Sequence, residues 1–296
     1  MKRFLALVLS LMLLCTVTLG LAEVAPAVKE AAMAYFTNFS AERMMISAAK
    51  LFEKIDAGED MLLLDIRQPD AYAEGHLKGA VNVPFGPDVA ANLSKLPDDV
   101  QIYVNCYSGQ TSSQVVALLN VAGKFATNIQ SGFNNGISKA EGFEKYIDTA
   151  ESKLDEAADY AVDPDIQAAI AKYFDDMAAN AGTAFASNNF KPESLKEVLD
   201  AEMEDYFVYS VRKAEDFAAG HIQGAVNNPF GTGMEKNFEQ LPTDKKIIVY
   251  CYSGQTASQV TAILRLLGYD AYNLAGGMGA EGGSGWLGGG NAVVTE

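Results

Sequence analysis

The sequence predicts an α/β protein built as two tandem units, each a mainly parallel sheet flanked by helices. Two observations carry this. The stretch "NCYSGQTSSQV" (105–115) recurs as "YCYSGQTASQV" (250–260), and the 145-residue offset from Cys106 to Cys251 aligns the two halves without a gap from about Ile46 to beyond Gln114. Within each half, apolar runs of strand length alternate with segments of helical spacing.

The chain opens on Lys2 and Arg3, followed by an apolar run from Phe4 to Leu21 and the small residues Gly20-Leu21-Ala22 before Glu23. This pattern predicts a signal peptide over 1–22, cleaved on export to a periplasmic or extracellular location. The competing reading, an uncleaved membrane anchor, fits less well because Ser10, Thr16, Thr18 and Gly20 interrupt the run. A lipid-attachment site is disfavoured by Leu14 before Cys15, and no second segment is apolar and long enough to span a bilayer.

The first unit is expected over 23–150. It starts with the helix-like "AVKEAAMAYF" and contains "MLLLDI" and "QIYVNC", short and apolar enough to be buried strands, with "SQVVALLN" following at helical spacing. The acidic, alanine-rich stretch from Glu151 to Ala161 reads as a helical connector, with the boundary at 151–163. The second unit, 164–296, starts with Asp163 as N-cap and Pro164 in the first turn of "DPDIQAAIAKYF". Its strands are "YFVYSV" and "KIIVYC" and its helix is "SQVTAILRLLG". A glycine-rich tail, Gly276 to Gly290, holds the single tryptophan, Trp286, and reads as a mobile segment packed weakly over the second unit.

Without residues 1–22 the chain carries 20 Lys+Arg against 38 Asp+Glu, a formal charge of −18, which argues against nucleic acid as a partner. At 49% hydrophobic it can fill two cores. Of three cysteines, Cys15 lies in the expected signal peptide. Cys106 and Cys251 could pair in an exported protein, yet their identical loops argue that each serves its own loop, and no disulfide between them is expected.

Each cysteine ends an expected strand, and a helix is expected to begin after the five residues Tyr-Ser-Gly-Gln-Thr that follow it. A thiolate so placed faces the positive end of that helix and a turn of backbone amides, an arrangement that favours negative charge on sulfur. The cradle comprises Tyr107, Ser108, Gly109, Gln110 and Thr111 in the first loop, and Tyr252, Ser253, Gly254, Gln255 and Thr256 in the second. The glycines allow the backbone to curl round the sulfur, the Ser and Thr hydroxyls can donate to it, and the tyrosines line the pocket mouth.

"LLLDIRQPDAYAEGHLKGAVNVPF", "CYSGQT" and "LLGYDAYNLAGGMGA", in this order and spacing, resemble the rhodanese pattern, and the resemblance covers nearly all of the chain after residue 22, twice. It implies two tandem rhodanese-like domains and sulfur transfer without a metal or organic cofactor, with Cys106 and Cys251 as persulfide-forming nucleophiles. The substrate would be a small sulfur compound, and the acceptor cyanide or a thiol, including a thiol protein. Related phosphatases and arsenate reductases carry an arginine six residues after the cysteine. That place holds Ser112 or Ala257 here, so the phosphatase reading is set aside.

The halves depart from the family pattern differently. The first has Ser131-Gly132 where two glycines are preferred. The second keeps Gly276-Gly277 but has Ser210 where the first has Asp65. Classical two-domain members usually keep only the C-terminal cysteine, whereas both are present here. Asp65, Arg67 and His76, with Arg212 and His221, are candidate supporting residues. Related enzymes suggest a relay for the Asp and His, and the simpler expectation is that they tie the first strand to its following turn. Neither loop has a basic residue beside its cysteine, which favours a persulfide or polysulfide donor over thiosulfate. The alternative function is a non-catalytic sulfur-binding or interaction module that keeps the fold.

Overall fold

The structure is a computed structural model that describes residues 24–37, 39 and 44–295; the expected signal peptide lies outside them. In the first half the elements are α1 (Pro26–Thr37), β1 (Met45–Ile46), α2 (Ala48–Asp56), β2 (Met61–Asp65), α3 (Pro69–Glu74), β3 (His76–Leu77), β4 (Val81–Asn82), α4 (Pro87–Ala91), β5 (Gln101–Asn105), α5 (Gln110–Val121), β6 (Phe125–Ile129) and β7 (Ile147–Asp148). The second half has α6 (Pro164–Ala179), β8 (Asn189–Phe190), α7 (Pro192–Asp200), β9 (Tyr206–Ser210), α8 (Ala214–Ala219), β10 (Val226–Asn227), β11 (Lys246–Tyr250), α9 (Gln255–Leu266), β12 (Ala271–Leu274) and α10 (Gly285–Gly288). Among the described residues no helix is long and apolar enough to cross a membrane.

Two five-stranded sheets result, with strand orders β1-β6-β5-β2-β4 and β8-β12-β11-β9-β10, and every pairing within them is parallel. The middle strands, β5 and β11, are covered on both faces, which is why "QIYVN" and "KIIVY" read as near-continuous apolar runs. Alternate residues then face different cores. Leu64, Ile102 and Val104 share one buried cluster with Tyr209, Ile247 and Val249 of the other half, whereas Leu63 and Tyr103 face a cluster private to the first sheet and Val208 and Ile248 one private to the second. The shared core holds α5 and α9, packed against each other between the sheets.

The leading helices are exchanged. In α1, the Tyr35 hydroxyl donates to Gln259 Oε1 on α9 (2.8 Å), and Phe36 packs edge-on against Phe230 of the second half (5.9 Å). In α6, the Tyr173 hydroxyl donates to Gln114 Oε1 on α5 (2.6 Å), and Phe174 packs edge-on against Phe85 of the first half (5.6 Å). Burial pushes the Tyr173 hydroxyl up to about 12 and that of Tyr35 higher still, so both remain donors.

The Asp163 cap is present, its carboxylate accepting from the amides of Asp165 and Ile166. The connector departs from expectation, since no helix forms between Glu151 and Ala161. The chain runs instead along the first unit: Ser152 bridges Val81, and the Tyr160 amide donates to Ser94 O (2.7 Å). These anchors draw the chain out, and its clustered acidic residues repel one another in a compact helix. The tail also differs from the mobile segment expected. Trp286 is buried in the second unit's private core, its backbone amide donating to Gly277 O (2.9 Å) and its indole N–H to Ala292 O (2.8 Å). The buried indole and these hydrogen bonds pin the segment to the second unit.

Candidate active site

Cys106 and Cys251 each follow the middle strand of a sheet at its C-terminal end, where open parallel sheets place their ligand sites. Both are free thiols, each 2% exposed. The helix after each loop begins two residues earlier than expected, at Gln110 and Gln255, because Gly109 (φ 85°) and Gly254 (φ 80°) adopt the left-handed conformation that ends the loop. Gln110, Thr111 and their counterparts therefore belong to the first helical turn.

The loop carbonyls are turned away from the sulfur. Cys106 O and Tyr107 O accept from the amides of Phe133 (2.7 Å) and Asn134 (3.0 Å), and Cys251 O and Tyr252 O from those of Met278 (2.7 Å) and Gly279 (2.8 Å). The amide edge is left facing inward, and the Gly109 N–H donates to Cys106 Sγ (3.1 Å). Of the five amides expected in the first cradle, it is Gly109's that reaches the sulfur. The hydroxyl beside it is that of Ser112, 3.1 Å from Sγ, rather than that of Ser108 or Thr111. Ser112 also lies 2.6 Å from Asn128 Oδ1. Ala257 removes this hydroxyl from the second site.

Ser108 and Ser253 accept instead from the side-chain amides of Gln110 and Gln255 (3.3 and 3.0 Å). Those glutamines also cross the interface. Gln110 Oε1 accepts from Asn273 Nδ2 (3.0 Å) and the Gly276 amide (2.9 Å), and Gln255 Oε1 from Asn128 Nδ2 (3.2 Å) and the Ser131 amide (2.8 Å). The sequence offered a signal for this in the matched pairs Gln110/Gln255 and Asn128/Asn273, but not that the contacts are exchanged.

Tyr107 and Tyr252 stand at the loop mouths, 40% and 37% exposed, with their hydroxyls accepting from the amides of Gln68 and Lys213 (3.2 Å each). Tyr252 also donates to the Asp216 carboxylate. The supporting residues are not joined into a relay. Asp65 is engaged by Arg67, which donates to it through Nε and Nη2 (3.0 and 2.7 Å) and also to Gly75 O (2.8 Å). His76, fully buried, stacks on Tyr72 (3.6 Å) with its ring nitrogens at Tyr72 O and Ala150 O. His221 stacks likewise on Phe217 (3.9 Å). These groups tie the strand to its turn.

Arg212 differs from Arg67. Ser210 supplies no carboxylate, and the guanidinium is held by Nη1 on Gly220 O (2.7 Å), 5.3 Å from the Tyr252 ring, with a buried Nε that has no partner among the described residues. Arg212 thus puts a guanidinium without a carboxylate partner beside the tyrosine of the second loop.

The rhodanese-like domain model matches residues 47–146 and 191–280, more than half of the chain. The chain belongs to the rhodanese-like family. Among proteins similar to this tandem rhodanese-like chain, the putative sulfur carrier protein YrkF of Bacillus subtilis is 29% identical over 97 residues, 32% of this chain and 52% of YrkF, so the match spans about half of that relative. The putative thiosulfate sulfurtransferase SseB of Mycobacterium tuberculosis is 26% identical over 272 residues, covering 77% of this chain and 90% of SseB. The solved structure of SseA from Escherichia coli, a 3-mercaptopyruvate sulfotransferase of rhodanese fold, is 20% identical with a TM-score of 0.35, covering 79% of this chain and 98% of SseA.

Proposed function

We propose that the protein is a sulfurtransferase in which Cys106 and Cys251 each carry sulfane sulfur as a persulfide. The observation that carries this reading is the inward-facing amide edge of the first loop, with the Gly109 N–H on the Cys106 sulfur at the start of α5. Fixed N–H dipoles that need no reorganisation stabilise charge on sulfur both in the attacking thiolate and in the terminal sulfur of a persulfide. The second loop repeats the backbone geometry.

The thiolate attacks the outer sulfur of a persulfide, polysulfide or thiosulfate. A new S–S bond forms as the donor's S–S bond breaks, and the shortened sulfur anion or sulfite leaves with the electron pair. A thiol or cyanide acceptor then attacks the terminal sulfur, and the Cys S–S bond breaks with its electron pair returning to the cysteine. Membership of the rhodanese-like family and the names of relatives such as SseB support sulfur transfer in general. Export to a periplasmic or extracellular compartment, and an acceptor thiol protein there, belong to the same proposal and rest on the sequence of 1–22.

The test is intact mass after incubation of the purified protein with polysulfide, followed by cyanide. One added sulfur per active cysteine, released as thiocyanate and lost site by site in Cys106→Ser and Cys251→Ser, is the expected result. Sulfur that never adds, or adds and never leaves, supports the non-catalytic module instead.

A further inference from the structure

We infer that Gln255, on the second active loop, is a positioning residue for Cys106 in the first. The inference rests on Cys106 being the reactive thiol of its loop. The contacts form an unbroken line across the interface: Gln255 Oε1 to Asn128 Nδ2, Asn128 Oδ1 to the Ser112 hydroxyl, and the Ser112 hydroxyl to Cys106 Sγ. Every side chain on this line is buried, Gln255 to 5% exposure, Asn128, Ser112 and Cys106 to 2% or less, so water does not substitute for a missing partner.

The direction of the amides is fixed. Gln255 Oε1 accepts from the Ser131 backbone N–H, which can only donate, so this atom is the oxygen. Asn128 therefore turns its NH2 toward Gln255 and its oxygen toward Ser112, and the single Ser112 proton is shared between that oxygen and the sulfur. The same glutamine oxygen holds the loop from behind. A Cβ on Gly109 would lie 2.4 Å from it, so Gln255 packs directly on the residue whose amide reaches the sulfur. One atom of the second unit thus sets both groups that touch Cys106.

The reverse direction is weaker. Gln110 holds Asn273 and Gly276 in the same way, but Ala257 breaks the line before Cys251. The coupling across the interface runs mainly from the second loop to the first, and Ser112 is where the two halves part.

The experiment reads each cysteine separately by peptide mass spectrometry on the full chain, following iodoacetamide alkylation and, in parallel, sulfur loading from polysulfide. Gln255→Met keeps the side-chain volume and deletes the acceptor. It is expected to slow Cys106 about fivefold, the effect of losing one positioning hydrogen bond; because Gln255 also donates to Ser253 in the second cradle, the rate of Cys251 is compared in a second variant outside both loops. Asn128→Leu keeps a similar volume, adds no charge, breaks the line between Gln255 and Ser112 and lies outside both cysteine loops; it should slow Cys106 by a similar factor while leaving Cys251 within about twofold of its own rate, which keeps the test decisive if Gln255→Met fails to fold. In Asn128→Leu, slowing at Cys251 alone or equal slowing at both cysteines overturns the inference, as does no change at Cys106 in either variant. Alkylation needs no sulfur transfer, so a wild-type protein that takes up no sulfur would defeat the proposed function while leaving this test intact.

Discussion

At the residue scale, Asp65 and Ser210 occupy equivalent places and leave different charge behind. Arg67 is neutralised in a buried pair, whereas Arg212 faces the Tyr252 side of the second loop without a carboxylate. Removing one member of a buried pair strands the other, so Asp65→Ala should cost roughly 3–5 kcal/mol in urea unfolding. Arg212→Met should cost less, about 1–2 kcal/mol, since it breaks a hydrogen bond to Gly220 O rather than a buried ion pair, and raise the thiosulfate KM about threefold at Cys251 in a Cys106→Ser background, the scale of a modest charge interaction. An unchanged KM would show that Arg212 is too far from the donor to be felt. Gly254→Ala meets a different constraint, because its Cβ would lie 2.4 Å from Gln110 Oε1 and its φ is +80°. A loss of about 1–3 kcal/mol is expected, with slower sulfur loading at Cys251.

At the element scale, α1 and α6 each lie over the other half, anchored by a tyrosine on a glutamine and a phenylalanine on a phenylalanine. Phe36 is fully buried, and Phe36→Ala should destabilise the chain by about 3–5 kcal/mol, measured by thermal or urea unfolding. The tyrosines also set an alkaline limit. Burial raises Tyr173 from 10.0 to about 12, so an unfolded chain releases this proton before the folded one does. Stability from Tyr173 is fully present below pH 10 and is lost as pH rises through about 12. Tyr173→Phe should flatten that alkaline loss, and a curve of unchanged steepness would show that Tyr173 does not contribute.

At the scale of the whole molecule, the inner faces of both sheets share one core that includes both cysteines. Two sequence repeats therefore do not make two independent folding units. A single cooperative transition is expected by calorimetry, with calorimetric and van't Hoff enthalpies equal, and a chain starting at Pro164 should be unfolded or aggregated because it lacks α1 and the partner face of α9. Two resolved transitions would contradict this. The formal charge of −18 after residue 22 acts over the same scale, and added salt should lower the thiosulfate KM by screening repulsion of the dianion, while a singly charged organic persulfide should respond less to salt.

The duplication, the parallel α/β units, the cysteine loops and the Asp163 cap were all legible in the sequence, because each is set by local pattern: runs of strand length, helical spacing, a cysteine at a strand end with glycine after it. The helix start was misplaced by two residues because the left-handed turn at Gly109 belongs to the backbone, not to the spacing of side chains. Contacts between distant positions left no such trace. Nothing local distinguishes Gln255 serving its own loop from Gln255 serving the other, a helix packed on its own unit from one exchanged, or a glycine-rich tail that floats from one pinned by Trp286. Those choices were made by the shared core, which brings residues 127 and 224 positions apart within hydrogen-bonding distance, and hydrogen bonds of that span are decided only once both sheets have packed on α5 and α9.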